Sequence, residues 1–200
     1  MLDKNSTSST IKGSASNSGT LDYWYYNNIE QKGYKDYIED TVWCNDRSIY
    51  SLGGWNPDGG TTSSNYSLYF GAYNRARTTY TPDLTCAREI DKFTVDEANG
   101  NGDLTYPVGL LTADEIMLAG AKYYASDSSH YLYTGKTYWS GSPSDFSRNL
   151  ANGFYVTSSG YLYYSYVTTT HGVRPSLSLK RGFTIVDGGE GTVEKPYVVE

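Results

Sequence analysis

Two histidines, two cysteines and one acidic, glycine-rich stretch are the residues whose types and spacing bear most directly on chemistry. His130 lies in Ser128-Ser129-His130-Tyr131, and His171 in Thr169-Thr170-His171-Gly172. Neither has a metal-ligand partner four residues on, as a helical zinc pair would need. A Ser-His-Asp site assembles in space and leaves no fixed spacing. The local signatures that do leave one, a nucleophile elbow and a Gly-rich phosphate loop, are absent. Asp and Glu together number 22, but a glycosidase pair looks like any two surface acids in sequence. These residues point away from an enzyme, and no catalytic residue or cofactor is expected.

Asp96-Glu97-Ala98-Asn99-Gly100-Asn101-Gly102-Asp103 spaces oxygen ligands with glycines, as a calcium cradle does. It lacks the bidentate Glu that closes an EF-hand loop, so it reads as a solvated acidic turn and no metal site is expected. Cys44 and Cys86 stand in a chain rich in Tyr, Ser, Thr and Gly. One disulfide in an exported protein fits them better than two buried free thiols. Such a bridge closes a loop of about 42 residues and stabilises the fold by roughly 3–4 kcal/mol in the chain-entropy model.

The chemistry that composition favours is binding. Of 200 residues, 22 are Tyr, against 4 Trp, 5 Phe and 2 Met. Tyrosine offers a large ring, a polar tip and only two side-chain torsions, and binding loops favour it with Ser, Asn and Gly. Tyr also suits strands, so a binding role is read only where tyrosines cluster, around 138–175. The net charge of −6 argues against a nucleic-acid partner, which needs a basic surface. No run of 18 apolar residues is present, so no membrane span is expected. Met1-Leu2-Asp3-Lys4-Asn5 holds no apolar signal core.

The elements that must position these residues follow from period and punctuation. Residues 1–17 are polar and read as a flexible N-terminal segment; 18–200 read as one domain. Leu21, Trp24, Tyr25, Asn28 and Ile29 recur at helical spacing, with Ser18 or Thr20 as cap. A second short helix is expected at Tyr34, Tyr37 and Ile38, then an extended Asp40–Cys44. Residues 45–86 are dense in turn formers and read as irregular. Phe93-Thr94-Val95 reads as a short strand. Thr112 and Glu115 form a capping box that starts a helix, Gly120 ends it, and Ile116 and Ala119 face the core. Tyr131–Tyr133 and Lys136–Trp139 flank Thr134-Gly135 as one hairpin. Gly153–Val156 and Tyr161–Val167 flank Thr157–Gly160 as another. Gly172–Leu179 alternates like a half-buried strand. Helices first and strands later predict an α+β fold with two or three helices and an antiparallel, β-rich C-terminal half.

Several motifs together resemble a bacterial domain of unknown function found in large surface proteins of anaerobic, often gut, bacteria. They are Tyr138-Trp139-Ser140-Gly141-Ser142-Pro143, Asn152–Val156 through Ser159-Gly160, Gly172-Val173-Arg174-Pro175-Ser176-Leu177-Ser178-Leu179, and Gly188-Gly189-Glu190-Gly191-Thr192 with Pro196-Tyr197-Val198-Val199. Trp43–Ser48 and Tyr106–Glu115 also resemble parts of it, so the likeness covers about 18–200. It implies a C-type-lectin-like fold of the formylglycine-generating-enzyme group, similar to the variable proteins of diversity-generating retroelements. Those proteins carry diversified Tyr, Asn, Ser, Asp and His on a rigid frame. Segment 140–171 has that composition. The resemblance stops short of the chemistry. Trp55-Asn56-Pro57-Asp58 completes no calcium-lectin motif, and no Cys follows residue 86 as the oxidase requires.

In that frame Trp139, Pro143, Phe154, Val156, Val173, Leu177 and Leu179 are scaffold. Arg174 is expected to pair with a carboxylate, Asp46 or Asp114. The candidate ligand-binding residues are Ser140, Asp145, Phe146, Arg148, Asn149, Asn152, Tyr161, Tyr163, Tyr164, Tyr166 and His171. Strand alternation puts Tyr161 and Tyr163 on one face and Tyr164 and Tyr166 on the other. Tyr163 or Tyr164 with Asp145, Phe146, Arg148 and His171 is expected to form one patch. The function implied is an extracellular or cell-surface adhesion-type domain, part of a larger bacterial surface protein, with a protein or glycan ligand. The alternative is a ligand-free structural module of such a protein.

Overall fold

The computed structural model describes residues 19–53, 55–56, 60–61, 67–147, 150–192 and 194–199. Helix α1, Leu21–Tyr25, is capped by Thr20, whose side chain accepts from Tyr23 N; it runs on as a π-helical turn, Tyr26–Glu30. The second short helix expected at Tyr34, Tyr37 and Ile38 is present only in part, with Tyr34 as its cap and Ile38 beyond it. A single 3₁₀ turn, Lys35–Tyr37, leads directly into strand β1, Ile38–Glu39. Strand β2, Trp43–Cys44, follows.

Residues 45–86 are more ordered than their turn formers suggest. They contain β3 (Ile49–Gly53), β4 (Trp55–Asn56), β5 (Gly60–Thr61), β6 (Ser67–Phe70) and helix α2 (Gly71–Asn74), which continues as a π-helical stretch, Arg75–Thr79. Ala72 and Ala76, four residues apart, are fully buried, and that spacing is the helix signal the glycines masked. Strand β7 is Lys92–Phe93, and helix α3 is Ala113–Leu118. The α3 capping box is complete, since Thr112 Oγ1 accepts from Glu115 N while Glu115 accepts from Thr112 N. Ile116 is buried and Ala119 packs against the same cluster.

The remaining strands are β8 (Tyr138–Ser147), β9 (Leu150–Val156), β10 (Leu162–Tyr166), β11 (Ser178–Leu179), β12 (Ile185–Val186) and β13 (Val198–Val199). One five-stranded antiparallel sheet runs in the order β10-β9-β8-β6-β3. Among the described residues there are also four two-stranded ribbons: β1 with β11, β2 with β7, β4 with β5, and β12 with β13. The fold is thus α+β with short helices and antiparallel sheets.

The sheet is covered on both faces. On the first, Phe154, Val156, Leu162 and Tyr138 meet Ala72, Tyr73 and Ala76 of the α2 stretch and Ala113 and Ile116 of α3. On the second, Trp139 packs with Leu21 and Tyr25 of α1, Ile38, Val108 and Leu110, with Val173 and Leu177 at the margin. The assignment of Trp139, Phe154 and Val156 to the frame agrees with their burial. Leu179 is 47% exposed, because β11 is an outer strand paired only with β1.

Two expected β-elements are not formed as such. Residues 131–137 are turn and loop rather than a hairpin arm. Leu132 O is instead taken by two side chains, Tyr138 Oη and Arg174 Nη1. Gly172–Leu179 contacts its neighbours through isolated bridges, Gly172 with Tyr138 and Ser176 with Gly109, before β11. Pro175 has no N–H to donate, which suits an interrupted ladder. Arg174 lies over the Tyr138 ring, 5.3 Å from its centroid. Its partners are the Leu132 carbonyl and the ring and hydroxyl of Tyr138, not Asp46 or Asp114.

Those two carboxylates belong to Arg75. Its Nε donates to Asp114 Oδ1 at 2.6 Å, and its Nη2 to Asp114 Oδ2 at 2.9 Å and Asp46 Oδ2 at 2.8 Å. Burial opposes the charge on Asp46. Hydrogen bonds from Ser48 and Arg75, with the Arg75 charge, outweigh it and hold the carboxyl below its usual range. Cys44 and Cys86 form a disulfide with Cα atoms 5.7 Å apart.

Candidate functional site

The β9–β10 hairpin is built from a local alternating pattern and a turn fastened from outside. Thr157 N donates to Tyr161 O, and Gly160 N to Thr157 O. Gly160 has φ +82°, and a Cβ there would lie 2.0 Å from Asp127 O, so only glycine fits. Asp127 N donates to Ser159 O. His130 is buried with Nε2 2.8 Å from Gly160 O. A carbonyl only accepts, so Nε2 carries the proton. His130 is therefore a structural tie to the hairpin turn.

Strand β10 is the edge of the main sheet. Lys122–Tyr124 touches only its start, with Tyr124 N donating to Leu162 O and Leu162 N to Lys122 O. Alternation then sends successive β10 side chains to opposite faces.

On the first face the register lines up four residues from four strands: Tyr69 opposite Asp145, Asp145 opposite Asn152, and Asn152 opposite Tyr166. Directly opposed residues share a face. With Tyr164, Ser165 and Leu150 they line a cavity of about 440 Å³. Tyr73 of α2 bridges the rings above it, with centroids 4.4 Å from Tyr69 and 6.1 Å from Tyr164. Asp145 is 5% exposed. Its Oδ1 accepts from Ser144 Oγ at 2.9 Å and its Oδ2 from Asn152 Nδ2 at 2.8 Å. Burial pushes its carboxyl above the usual range, partly offset by those two hydrogen bonds.

On the second face Tyr163 is opposite Tyr155 and meets the rings of Tyr123, Tyr124 and Tyr161 at 5.8, 5.3 and 6.2 Å. His171 stacks on Tyr155 at 4.1 Å and meets Trp139 edge-on at 4.7 Å. Burial lowers the His171 pKa, favouring the neutral ring. Burial also pushes Tyr123 up to about 12, so it stays a neutral phenol.

The two faces join over the free edge, where the rings of Tyr163 and Tyr164 stack at 4.9 Å. Ring contacts therefore run without a break from Tyr69 through Tyr73, Tyr164, Tyr163 and Tyr155 to His171.

The expected single patch is divided by this geometry. Asp145, Asn152, Tyr164 and Tyr166 share one cavity; Tyr161, Tyr163 and His171 lie across the sheet. Ser140 is fully buried and donates to Phe154 O at 3.0 Å, so its hydroxyl is committed to the frame. Phe146 adjoins Asp145 in β8, opposite Leu68 and Ala151, and does not line the cavity. Arg148 and Asn149 lie outside the described residues. Tyr69, Tyr73, Tyr123, Tyr124 and Tyr155 join the belt unforeseen. The doublet Tyr123-Tyr124 was a local signal for two of them.

A second cavity, of about 520 Å³, lies beside the disulfide and is walled by Trp43, Arg75, Asp114 and Glu115 among others. Its one guanidinium is consumed by Asp46 and Asp114. Around the acidic stretch, Asp40 and Asp96 hold backbone. Asp40 accepts from Val95 N and Asp96 N, and Asp96 from Ala98 N. Among the described residues no three His, Cys, Asp or Glu side chains are grouped to hold a metal ion. Nor is any described helix long and apolar enough to cross a membrane. No protein-family model, curated protein or solved structure matches the chain.

Proposed function

We propose that this is a non-enzymatic, extracellular or cell-surface ligand-binding domain of a bacterial surface protein, and that the tyrosine belt around β10 is its contact surface. The observation that carries this reading is the unbroken run of rings across both faces and over the free edge of the sheet. Half-buried tyrosines held by neighbours lose little rotamer freedom on binding and bury large area. The disulfide fits an oxidising compartment. The motif resemblance supports a C-type-lectin-like frame, and the Tyr, Asn, Asp and His on β8–β10 and beyond fit residues diversified by a retroelement. The ligand is a protein or a glycan.

The test is an array of glycans and bacterial and host proteins probed with the wild type and with Tyr163→Ala/Tyr164→Ala. Ligands captured by the wild type and lost by the double variant support the reading. Ligands captured equally by both, or none at all, contradict it. The diversified form of the proposal has its own test: a reverse transcriptase and a near-identical template repeat in the neighbouring DNA. Their absence removes that form and leaves a fixed binding surface.

A further inference from the structure

The first-face cavity has a composition that a generally adhesive tyrosine surface does not require. It holds one buried carboxylate among phenol rings. A carboxylate offers about four lone-pair sites, and among the described residues Asp145 accepts two hydrogen bonds, both from neutral donors. The ion pairs of the described residues engage Arg47, Arg75, Arg88, Lys92 and Lys195, and none reaches Asp145. A buried charge with no counter-charge is costly unless something else supplies one.

The walls favour the same sign. The faces of tyrosine rings attract cations electrostatically, and just outside the cavity Arg77 lies 5.3 Å from the centroid of Tyr73, a ring that meets Tyr69 and Tyr164, and donates to its hydroxyl. Tyr69 and Tyr164 line the cavity beside Asp145, and Tyr166 closes the far end of the row through Asn152. An anion would meet the Asp145 charge, and a neutral sugar would leave that charge uncompensated.

We infer that the cavity between Tyr69, Asp145, Asn152, Tyr164 and Tyr166 binds an organic ammonium group, with the carboxylate as counter-charge and the rings as its apolar and cation–π wall. This rests on the binding-domain reading and names the ligand chemistry of one of its two faces. A cavity of about 440 Å³ exceeds an ammonium head alone, so the group arrives on a larger ligand whose body follows the row towards Leu150 and Tyr166. The ammonium is either a lysine-type primary amine or a choline-type quaternary one.

The experiment titrates the intact chain by calorimetry with three probes: choline, Nα-acetyl-lysine methylamide, and 3,3-dimethylbutan-1-ol, the neutral isostere of choline. At least one ammonium probe is expected to bind about tenfold or more tightly than the neutral alcohol. Which of the two binds tells the quaternary from the primary source. Asp145→Asn keeps both hydrogen-bonding partners, since its amide can donate to Ser144 and accept from Asn152, and is expected to weaken binding about tenfold. If Asp145→Asn fails to fold, Tyr164→Phe and Tyr164→Leu decide: the first keeps affinity and the second loses it. Binding of the alcohol as tight as the ammonium, unchanged affinity in Asp145→Asn or Tyr164→Leu, or no binding of either ammonium at about 20 mM overturns the inference. The array is a separate readout. Ligand captured there without ammonium binding sinks this inference and spares the binding-domain reading, whereas silence in both sinks both.

Discussion

Replacing Arg75 by Met removes the cation that ties the stretch following α2 to α3 and to the segment before β3. Its guanidinium is bidentate to Asp114 and reaches Asp46, and Asp83 N also donates to Asp114. Side-chain exposure is 17% for Arg75, 4% for Asp114 and 20% for Asp46. Breaking such a pair from one side leaves uncompensated buried charge and costs about 3–5 kcal/mol. The partial exposure of Arg75 and Asp46 places this case at the low end, about 3 kcal/mol. For a chain of this size that corresponds to a fall of about 6–12 °C in Tm. Asp114→Asn in the same background removes one of the stranded charges and is expected to recover about 1 kcal/mol or more. The pH dependence has a definite sign. Asp46 has a folded pKa below its unfolded value, so its contribution is present above the unfolded pKa and lost as pH falls through the folded one. The Arg75→Met variant is expected to lose part of this acid sensitivity. Urea unfolding at pH 7 and at stepwise lower pH measures both effects. A loss under about 1 kcal/mol at pH 7, or an unchanged acid limb, refutes the reasoning.

Other outcomes follow from single contacts. A Cβ at Gly109 would lie 2.3 Å from the Trp43 ring, so Gly109→Ala is expected to cost about 1–3 kcal/mol or more in urea unfolding by overpacking. Gly160→Ala, forced against Asp127 O, is expected to shift the Tyr161 and Tyr163 amide resonances and lower Tm. Cys44→Ser/Cys86→Ser is expected to lose roughly 3–4 kcal/mol, read as a lower urea midpoint than the oxidised wild type. His171 has a folded pKa below 6.5, so it contributes stability that is full above that value and falls as pH drops below it; His171→Phe should flatten that limb of the stability profile.

The sequence showed most clearly what is local. The Thr112–Glu115 capping box and the β9–β10 hairpin each depend on residues within a few positions, and both are formed. The α2 stretch was obscured because Gly71 opens it among turn formers, although Ala72 and Ala76 carried its period. Gly71 is there for space, since a Cβ would lie 2.8 Å from Arg75 Nη1 and 2.9 Å from Asp46 Oδ2. Strand β8 was visible only at Tyr138 and Trp139, since its middle carries Gly141 and Pro143 and shifts register there. The candidate site divided for a similar reason. Tyr161–Tyr166 is one local run, but its neighbours Tyr69 and Asp145 meet through a register between strands far apart in the chain. No periodicity in one segment encodes that meeting. The expected carboxylate partner of Arg174 fails because nothing local shows that Arg75 occupies Asp46 and Asp114.

The proposed function requires that tyrosines of the β10 belt, and not tyrosine exposure in general, carry binding. Once an array ligand is in hand, its affinity can be measured for single alanine variants of Tyr161, Tyr163, Tyr164 and Tyr166, with Tyr131→Ala and Tyr34→Ala as controls. Tyr131 and Tyr34 are 77% and 51% exposed but lie off the belt. A loss of about tenfold or more is expected for at least two of the belt variants and no change for either control. Equal losses in belt and control variants, or no loss in any belt variant, would contradict it.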